Sequence, residues 1–211
     1  VDDLIWTAPV TELIRRLTPA PPPALLERVR SLRYRAVVLC YAVLDVDRVG
    51  DADTYYFADR EIPFNRVIEQ KNFSAELAPP NATVLGMDLA CNPDDALFQA
   101  NDDELRRLTL SALERAGLLQ RGRVVDFFSR RFRTAYPVYD LCYQAALSEV
   151  QGWLEGFQNL WLAGRHGLFL HNNTHHSLLM GYRAADEIAA GGDRARWRAA
   201  LAEFATFRVA D

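Results

Sequence analysis

The sequence is short of cysteine, of long apolar runs and of positive charge, and each shortage removes a class of protein. Cys40, Cys91 and Cys142 stand far apart with no paired spacing. That excludes a disulfide framework and a thiolate metal site, and it fits a reducing, cytoplasmic compartment. The longest uniformly apolar run, Ala36 to Leu44, has nine residues, against roughly 20 for a membrane-spanning helix; it reads as a buried strand. Lys and Arg number 24 against 28 Asp and Glu, for a net charge of −4, which argues against nucleic acid or an anionic membrane as partner and leaves a small molecule as the expected one. No basic segment followed by an apolar one opens the chain, so no signal peptide is expected. The first residue is Val1, and Val1 to Thr7 reads as a strand, so the chain is expected to begin inside a larger protein.

What is present suffices for a core without staples. Of 211 residues, 50% are hydrophobic and 25% charged, the balance of one globular domain or two small ones. Leu4 to Thr7 reads as a short strand closed by Ala8-Pro9, with Thr11 expected to cap a short helix bearing Leu13, Ile14 and Leu17. After the stiff Pro19–Pro23 connector, Leu25, Leu26, Val29 and Leu32 recur at helical spacing. Ala36 to Val46 and Thr54 to Phe57 read as strands that pair as a hairpin. Phe64 to Phe73 has no clean period and reads as an extended loop with some strand, and Ala82 to Ala90 reads as another strand. Asn101 followed by Glu104 predicts a capped helix with Leu105, Leu108 and Ala112 inward, stopped at Gly117. Arg123 to Phe128 predicts a strand that leads into the aromatic turn Ala135 to Asp140. Asp140 is expected to cap a helix carrying Tyr143, Leu147, Val150, Leu154 and Phe157 on one face. Leu160 to Ala163 reads as a buried strand running into Gly164-Arg165-His166-Gly167, and Asn173 or Thr174 as the cap of a helix reaching about Ala190. Gly191-Gly192 separates it from a last helix with Trp197, Leu201 and Phe204 inside. Strands and helices follow one another without a βαβ rhythm, which predicts an α+β chain with a mainly antiparallel sheet, roughly Arg35 to Asp140, flanked by helices.

The segment Asn159 to Ile188 carries the most chemistry. A strand meets a glycine turn holding an arginine, and a polar loop then feeds a helix N-terminus. Glycine lets backbone approach an anion, Arg165 supplies fixed charge, and the first N–H groups of the helix add partial positive charge. The plain alternative is a turn with a surface arginine. All four histidines, His166, His171, His175 and His176, fall here. No Asp, Glu or Cys joins them before Asp186, so they are expected to line a polar mouth, and no metal is expected. Tyr136 and Tyr139 either face a substrate or pack in the core with their hydroxyls bonded at the edge. Alternation on a strand places Arg131 and Arg133 on one face, either meeting an acidic substrate group or as an exposed edge. Asp94, Asp95, Asp102 and Asp103 are explained by capping.

The strand Asn159 to Ala163, the run Gly164-Arg165-His166-Gly167-Leu168-Phe169, the pair Asn172-Asn173 and Met180 to Ala185 together resemble the C-terminal flavin motif of the FAD-dependent amine oxidase superfamily. That superfamily includes protoporphyrinogen oxidase and UDP-galactopyranose mutase relatives. Leu4 to Leu17 resembles its strand returning to the flavin domain, and Ala135 to Asp140, AYPVYD, resembles a tyrosine-proline segment of the mutase-like branch. The resemblance implies FAD as cofactor, with Gly164 and Arg165 by its pyrophosphate, the backbone at Asn173, Thr174 and His175 toward the flavin ring, Ala8 and Pro9 at the strand end passing the cofactor, and Tyr136 and Tyr139 toward substrate. It assigns no catalytic residue. Relatives carry an acidic residue where His175 stands and Met where Thr174 stands; a backbone contact survives both changes. The family's Gly-x-Gly-x-x-Gly fingerprint occurs nowhere among the eleven glycines, so the adenine half of the site is expected to lie in a missing N-terminal half. The division implied is a returning strand and helix in 1–18, a substrate-binding domain in 19–157, and flavin-contacting elements in 158–211. The expected function is the C-terminal part of an FAD-dependent oxidoreductase acting on a small organic molecule, inactive as an isolated fragment. A flavin-dependent sugar mutase and a non-catalytic binding module are the alternatives. With the flavin-domain neighbours absent, Leu4 to Pro9 and Trp161 to Phe169 are expected to expose an apolar face that drives self-association.

Overall fold

A computed structural model describes residues 2–74, 76, 77, 79–119 and 123–209. Along the chain run β1 (Leu4–Trp6), α1 (Val10–Leu13), α2 (Pro23–Ser31), β2 (Tyr34–Leu44), β3 (Thr54–Tyr56), β4 (Arg66–Glu69), β5 (Thr83–Cys91), α3 (Ala96–Gln99), α4 (Asp102–Arg115) and β6 (Val124–Pro137). Then come α5 (Tyr143–Leu154), β7 (Leu160–Leu162), α6 (Gly164–Gly167), α7 (Thr174–Ala189) and α8 (Arg194–Phe204). The fold is mixed α+β. The chain divides into two units, residues 1–34 with 136–211 and residues 35–135, each with its own hydrophobic core. These boundaries follow packing, whereas the division at 18/19 and 157/158 implied by the resemblance follows cofactor function.

The unit of residues 35–135 is built on a sheet of order β3-β4-β5-β2-β6. β2 pairs antiparallel with β5 from Ala36↔Cys91 to Leu44↔Thr83, and β4 is antiparallel to both β3 and β5. One face, carrying Val38, Cys40, Leu85, Met87 and Leu89, is buried with Phe98, Leu105 and Leu113 of α3 and α4. α4 begins as its sequence dictates: Asn101 Oδ1 accepts from the Glu104 N–H at 3.0 Å, and Glu104 Oε2 accepts from the Asn101 N–H at 2.8 Å, a reciprocal cap. It ends before Gly117, at φ +74°. Leu108, expected inward, is exposed.

Thr54–Tyr56 pairs with β4 and not with β2. The reason is a buried carboxylate: Glu69, at the end of β4, accepts from the N–H groups of Val49 at 2.8 Å and Gly50 at 3.2 Å and from Thr83 Oγ1 at 2.8 Å. Asn72 donates to the carbonyls of Gly50 and Ala52, each at 2.9 Å. These bonds hold the turn-rich segment after β2 against β4, so that β3 forms the far edge. β6 is also longer than expected and absorbs Ala135-Tyr136-Pro137 as strand. No glycine or asparagine interrupts it, and Arg131 anchors it by donating to the carbonyls of Phe98 and Ala100.

The other unit surrounds a parallel pair, β1 beside β7, in the register Leu4↔Leu160 and Trp6↔Leu162. Trp161, Trp197, Phe204 and Met180 fill the core around it. α1 is preceded by Pro9, not capped by Thr11, because Pro9 supplies the extended residue before the first turn. Asp140 lies two residues ahead of the Cys142 cap of α5 and accepts its N–H at 3.0 Å. The expected apolar face is mostly absent: Trp161, Leu162, Ala163, Leu168 and Phe169 are buried by the chain's own helices, and of Leu4 to Trp6 only Ile5 is exposed among apolar side chains.

Candidate functional site

The two parallel strands end together. The Ala163 N–H donates to Trp6 O at 3.0 Å, and the chain then turns into α6 at Gly164, which adopts φ +75°, a conformation that favours glycine. A Cβ on Gly164 would lie 3.9 Å from both Thr7 Cβ and Ser177 Oγ, so Gly164 sits where the end of β1 meets the first turn of α7. Gly167 packs tighter still: a Cβ there would be 2.4 Å from Trp6 O. Ala8 is exposed and Pro9 half-buried, its carbonyl accepting from Trp6 Nε1 at 3.3 Å. Trp6, Thr7, Gly164, Gly167 and Ser177 in the first turn of α7 are therefore neighbours.

Arg165 is not a spare surface charge. Its guanidinium donates to the Asn172 carbonyl and lies 4.8 Å over the Tyr136 ring, while its own carbonyl accepts from the Leu170 N–H at 2.9 Å. Tyr139 grips the same segment: its hydroxyl accepts from the His171 N–H at 2.6 Å and donates to Phe169 O at 3.4 Å. Burial pushes the Tyr139 phenol above its ordinary value, so it stays protonated. Between these clamps Phe169 holds φ +52°, an uncommon conformation for a bulky residue that persists where surroundings over-determine it. Tyr34, which the sequence did not mark, adds a third hold. Its hydroxyl reaches His166 O at 3.3 Å, and its ring meets Phe169 edge-on at 4.9 Å.

These clamps deliver the chain to α7. Asn173 is its cap, and His176 occupies the position usually held by Glu or Gln in a reciprocal cap, its Nδ1 accepting from the Asn173 N–H at 3.2 Å. Burial and the neighbouring His175 hold the His176 imidazole below its ordinary value, keeping that nitrogen an acceptor. Thr174 and His175 are exposed, and as the first two residues of the helix their N–H groups have no partner in the preceding turn. Asn172 is buried, with Oδ1 accepting from Ser177 Oγ at 3.1 Å.

The histidines separate: His175 and His176 lie ring to ring at 4.0 Å, while His166 meets Tyr34 and His171 meets Tyr136, each at 5.9 Å. Among the described residues no group of three or more His, Cys, Asp or Glu is placed to hold a metal ion. Arg131 and Arg133 face α3, Arg133 lying 5.5 Å over the Phe98 ring. The unit of residues 1–34 with 136–211 holds a cavity of about 550 Å³ walled by Tyr143, Leu147, Leu162, Phe169, Trp197 and Leu201. Periodicity cannot distinguish such a groove from a closed core, because both put apolar residues on one helix face.

No protein-family model matches this sequence, and no curated protein does. Solved structures do. Reduced UDP-galactopyranose mutase superposes with a TM-score of 0.76 at 20% identity, covering 90% of this chain and 41% of that one. A putative protoporphyrinogen oxidase from Exiguobacterium sp. 255-15 gives 0.59 at 18% identity, over 79% of this chain and 36% of that one. Putrescine oxidase, in a variant made to redesign its cofactor binding, gives 0.64 at 16% identity, over 89% and 42%. The fold is shared with parts of these three structures. At these identities the likeness is one of fold, and the chain spans about two-fifths of the length of the structures it matches. Among the described residues no helix is long and apolar enough to cross a membrane.

Proposed function

We propose that this chain is the C-terminal part of an FAD-dependent, amine-oxidase-like oxidoreductase acting on a small organic molecule, completed by an N-terminal half that carries the dinucleotide fingerprint. The observation that carries the reading is the approach of the β1 end to Gly164 and the first turn of α7, which begins with the exposed residues Thr174 and His175, in a chain with this fold. On this reading residues 1–18 and 158–211 contact the flavin and residues 19–157 hold the substrate.

The residues present fit FAD in part. The turn at Gly164 and the exposed helix start at Thr174 and His175 suit the phosphate and an electron-rich carbonyl oxygen of the ring. Arg165 is partly committed to Asn172 and Tyr136, but a guanidinium has five N–H donors, which leaves others for a phosphate oxygen. When bound, FAD supplies the redox step. This chain's part is positional: Ala8 and Pro9 border the cofactor at the strand end, Asn173 and His176 fix the α7 terminus, and Tyr136 and Tyr139 hold the preceding loop while their ring edges face substrate. A second reading, sugar-ring isomerisation without net oxidation, is favoured by the higher TM-score to the mutase than to either oxidase and by the AYPVYD segment.

The test is Thr174→Pro in the native protein that carries this sequence. Proline is tolerated at the first helical position and removes only the N–H in question, and Asn173, at φ −95° and ψ 169°, already has the conformation a following proline requires. The expected result is an unchanged melting temperature with weaker flavin retention and a shifted visible spectrum. Unchanged flavin affinity and spectrum would remove Thr174 from the site.

A further inference from the structure

The open face of the five-stranded sheet carries a patch that the flavin reading does not use. α3 and α4 cover one face. On the other, strand alternation leaves Tyr41 of β2, Asp88 of β5 and Arg66 of β4 half-buried. Phe128 of β6 belongs to this face, because its ring stacks on Tyr41 at 4.9 Å with an interplanar angle of 19°. Its neighbour Ser129 points the other way, bonded to Asp102 of α4 at 2.6 Å. Arg130 follows on the open side, its guanidinium 5.5 Å from the centre of the Phe128 ring.

The charges on this patch do not cancel. Asp88 is neutralised by Arg66, 2.6 Å away. Arg130 is exposed, bonded to its neighbour's carbonyl at 2.8 Å, and has no carboxylate partner among the described residues. One uncompensated guanidinium therefore stands beside two near-parallel aromatic rings. Solvent-facing sides of antiparallel sheets are ordinarily polar, and this one presents π-surface instead. Gly86 lies opposite Tyr41 in register, and a Cβ there would come 3.3 Å from the Tyr41 ring, so the absent side chain is what lets Tyr41 lie over its neighbour. Burial and the Asp88 carboxylate raise the Tyr41 phenol above its ordinary value, which keeps its hydroxyl available as a donor.

We propose that the Tyr41–Phe128–Arg130 patch is a binding site for a planar aromatic ring carrying an anionic group. The ring is held by stacking and the anion by the guanidinium, which is also suited to bidentate contact with phosphate or carboxylate. The site lies wholly within residues 35–135.

The native protein that carries this sequence is titrated by calorimetry with phenyl phosphate, inorganic phosphate and benzyl alcohol. Phenyl phosphate is expected to bind at least about ten-fold tighter than either single-feature probe, a difference of about 1.4 kcal/mol. Arg130→Gln should lose that preference and retain benzyl alcohol binding, with an unchanged melting temperature because the side chain is exposed. Phe128→Leu should weaken both ring-bearing probes. Arg133→Gln, on the helix-covered face, should change nothing. Phenyl phosphate binding no tighter than inorganic phosphate, or unaffected by Arg130→Gln, would overturn the proposal.

Discussion

At the residue scale, the glycine-arginine turn is a folding element as well as a candidate phosphate contact. The clamp that Arg165 forms with Asn172 and Tyr136 gives it a part in folding. Arg165→Ala should lower stability by roughly 1.5–3 kcal/mol, the range for a charge-assisted hydrogen bond. Arg165→Lys should recover only part of this, since an ammonium restores charge without the planar stack; chemical denaturation of the three chains checks the order. The glycines divide sharply. Gly167→Ala forces a Cβ to 2.4 Å from a backbone oxygen in β1, which no rotamer relieves, so the chain should lose several kcal/mol or fail to fold. Gly181→Ala, inside α7 with nothing within 4 Å, should instead stabilise by about 0.5–1 kcal/mol. Equal effects at the two positions would contradict the packing described for α6.

At the element scale, α7 owes its start to an unusual cap. His176 accepts the Asn173 N–H only while Nδ1 is unprotonated. Its folded-state value lies below the ordinary 6.5, so the unfolded chain takes up the proton first as pH falls. The stabilisation is therefore fully present above about 6.5 and is lost as pH drops through the lower folded-state value. His176→Gln keeps an acceptor at the same helical position without titrating. Its stability relative to the natural chain should rise between pH 7.5 and 5.5, read from denaturation midpoints; a parallel pair of profiles would remove the cap assignment. This helix also shows what the sequence could disclose. The α7 cap, narrowed to Asn173 or Thr174, the Asn101–Glu104 pair and the strand Ala36 to Leu44 were legible because each is written in a local pattern. The exchange of β3 from β2 to β4 was not, since it depends on Glu69 meeting Val49, Gly50 and Thr83 across the fold. Nor were the clamps on Phe169, because Tyr34, Tyr139 and Arg165 are far apart in sequence and meet only in the folded chain. In the candidate site the residue types were readable, and their mutual contacts were a product of tertiary packing.

At the scale of the whole molecule, two units with separate cores share a fold with enzymes more than twice the chain's length, since it covers 36% to 42% of them. A parallel sheet of two strands is small for a motif that ordinarily lies within a larger, doubly covered sheet, which supports reading β1 and β7 as part of a flavin domain completed elsewhere. The central claim is that this sequence functions inside a flavoprotein. Its most direct test is to isolate the native protein carrying the sequence and measure its mass and flavin content together. The account predicts a polypeptide well above the 23.9 kDa of these 211 residues, holding FAD in near-stoichiometric amount. A native chain of 23.9 kDa free of flavin would contradict it and leave a binding module that retains the superfamily's fold without its cofactor.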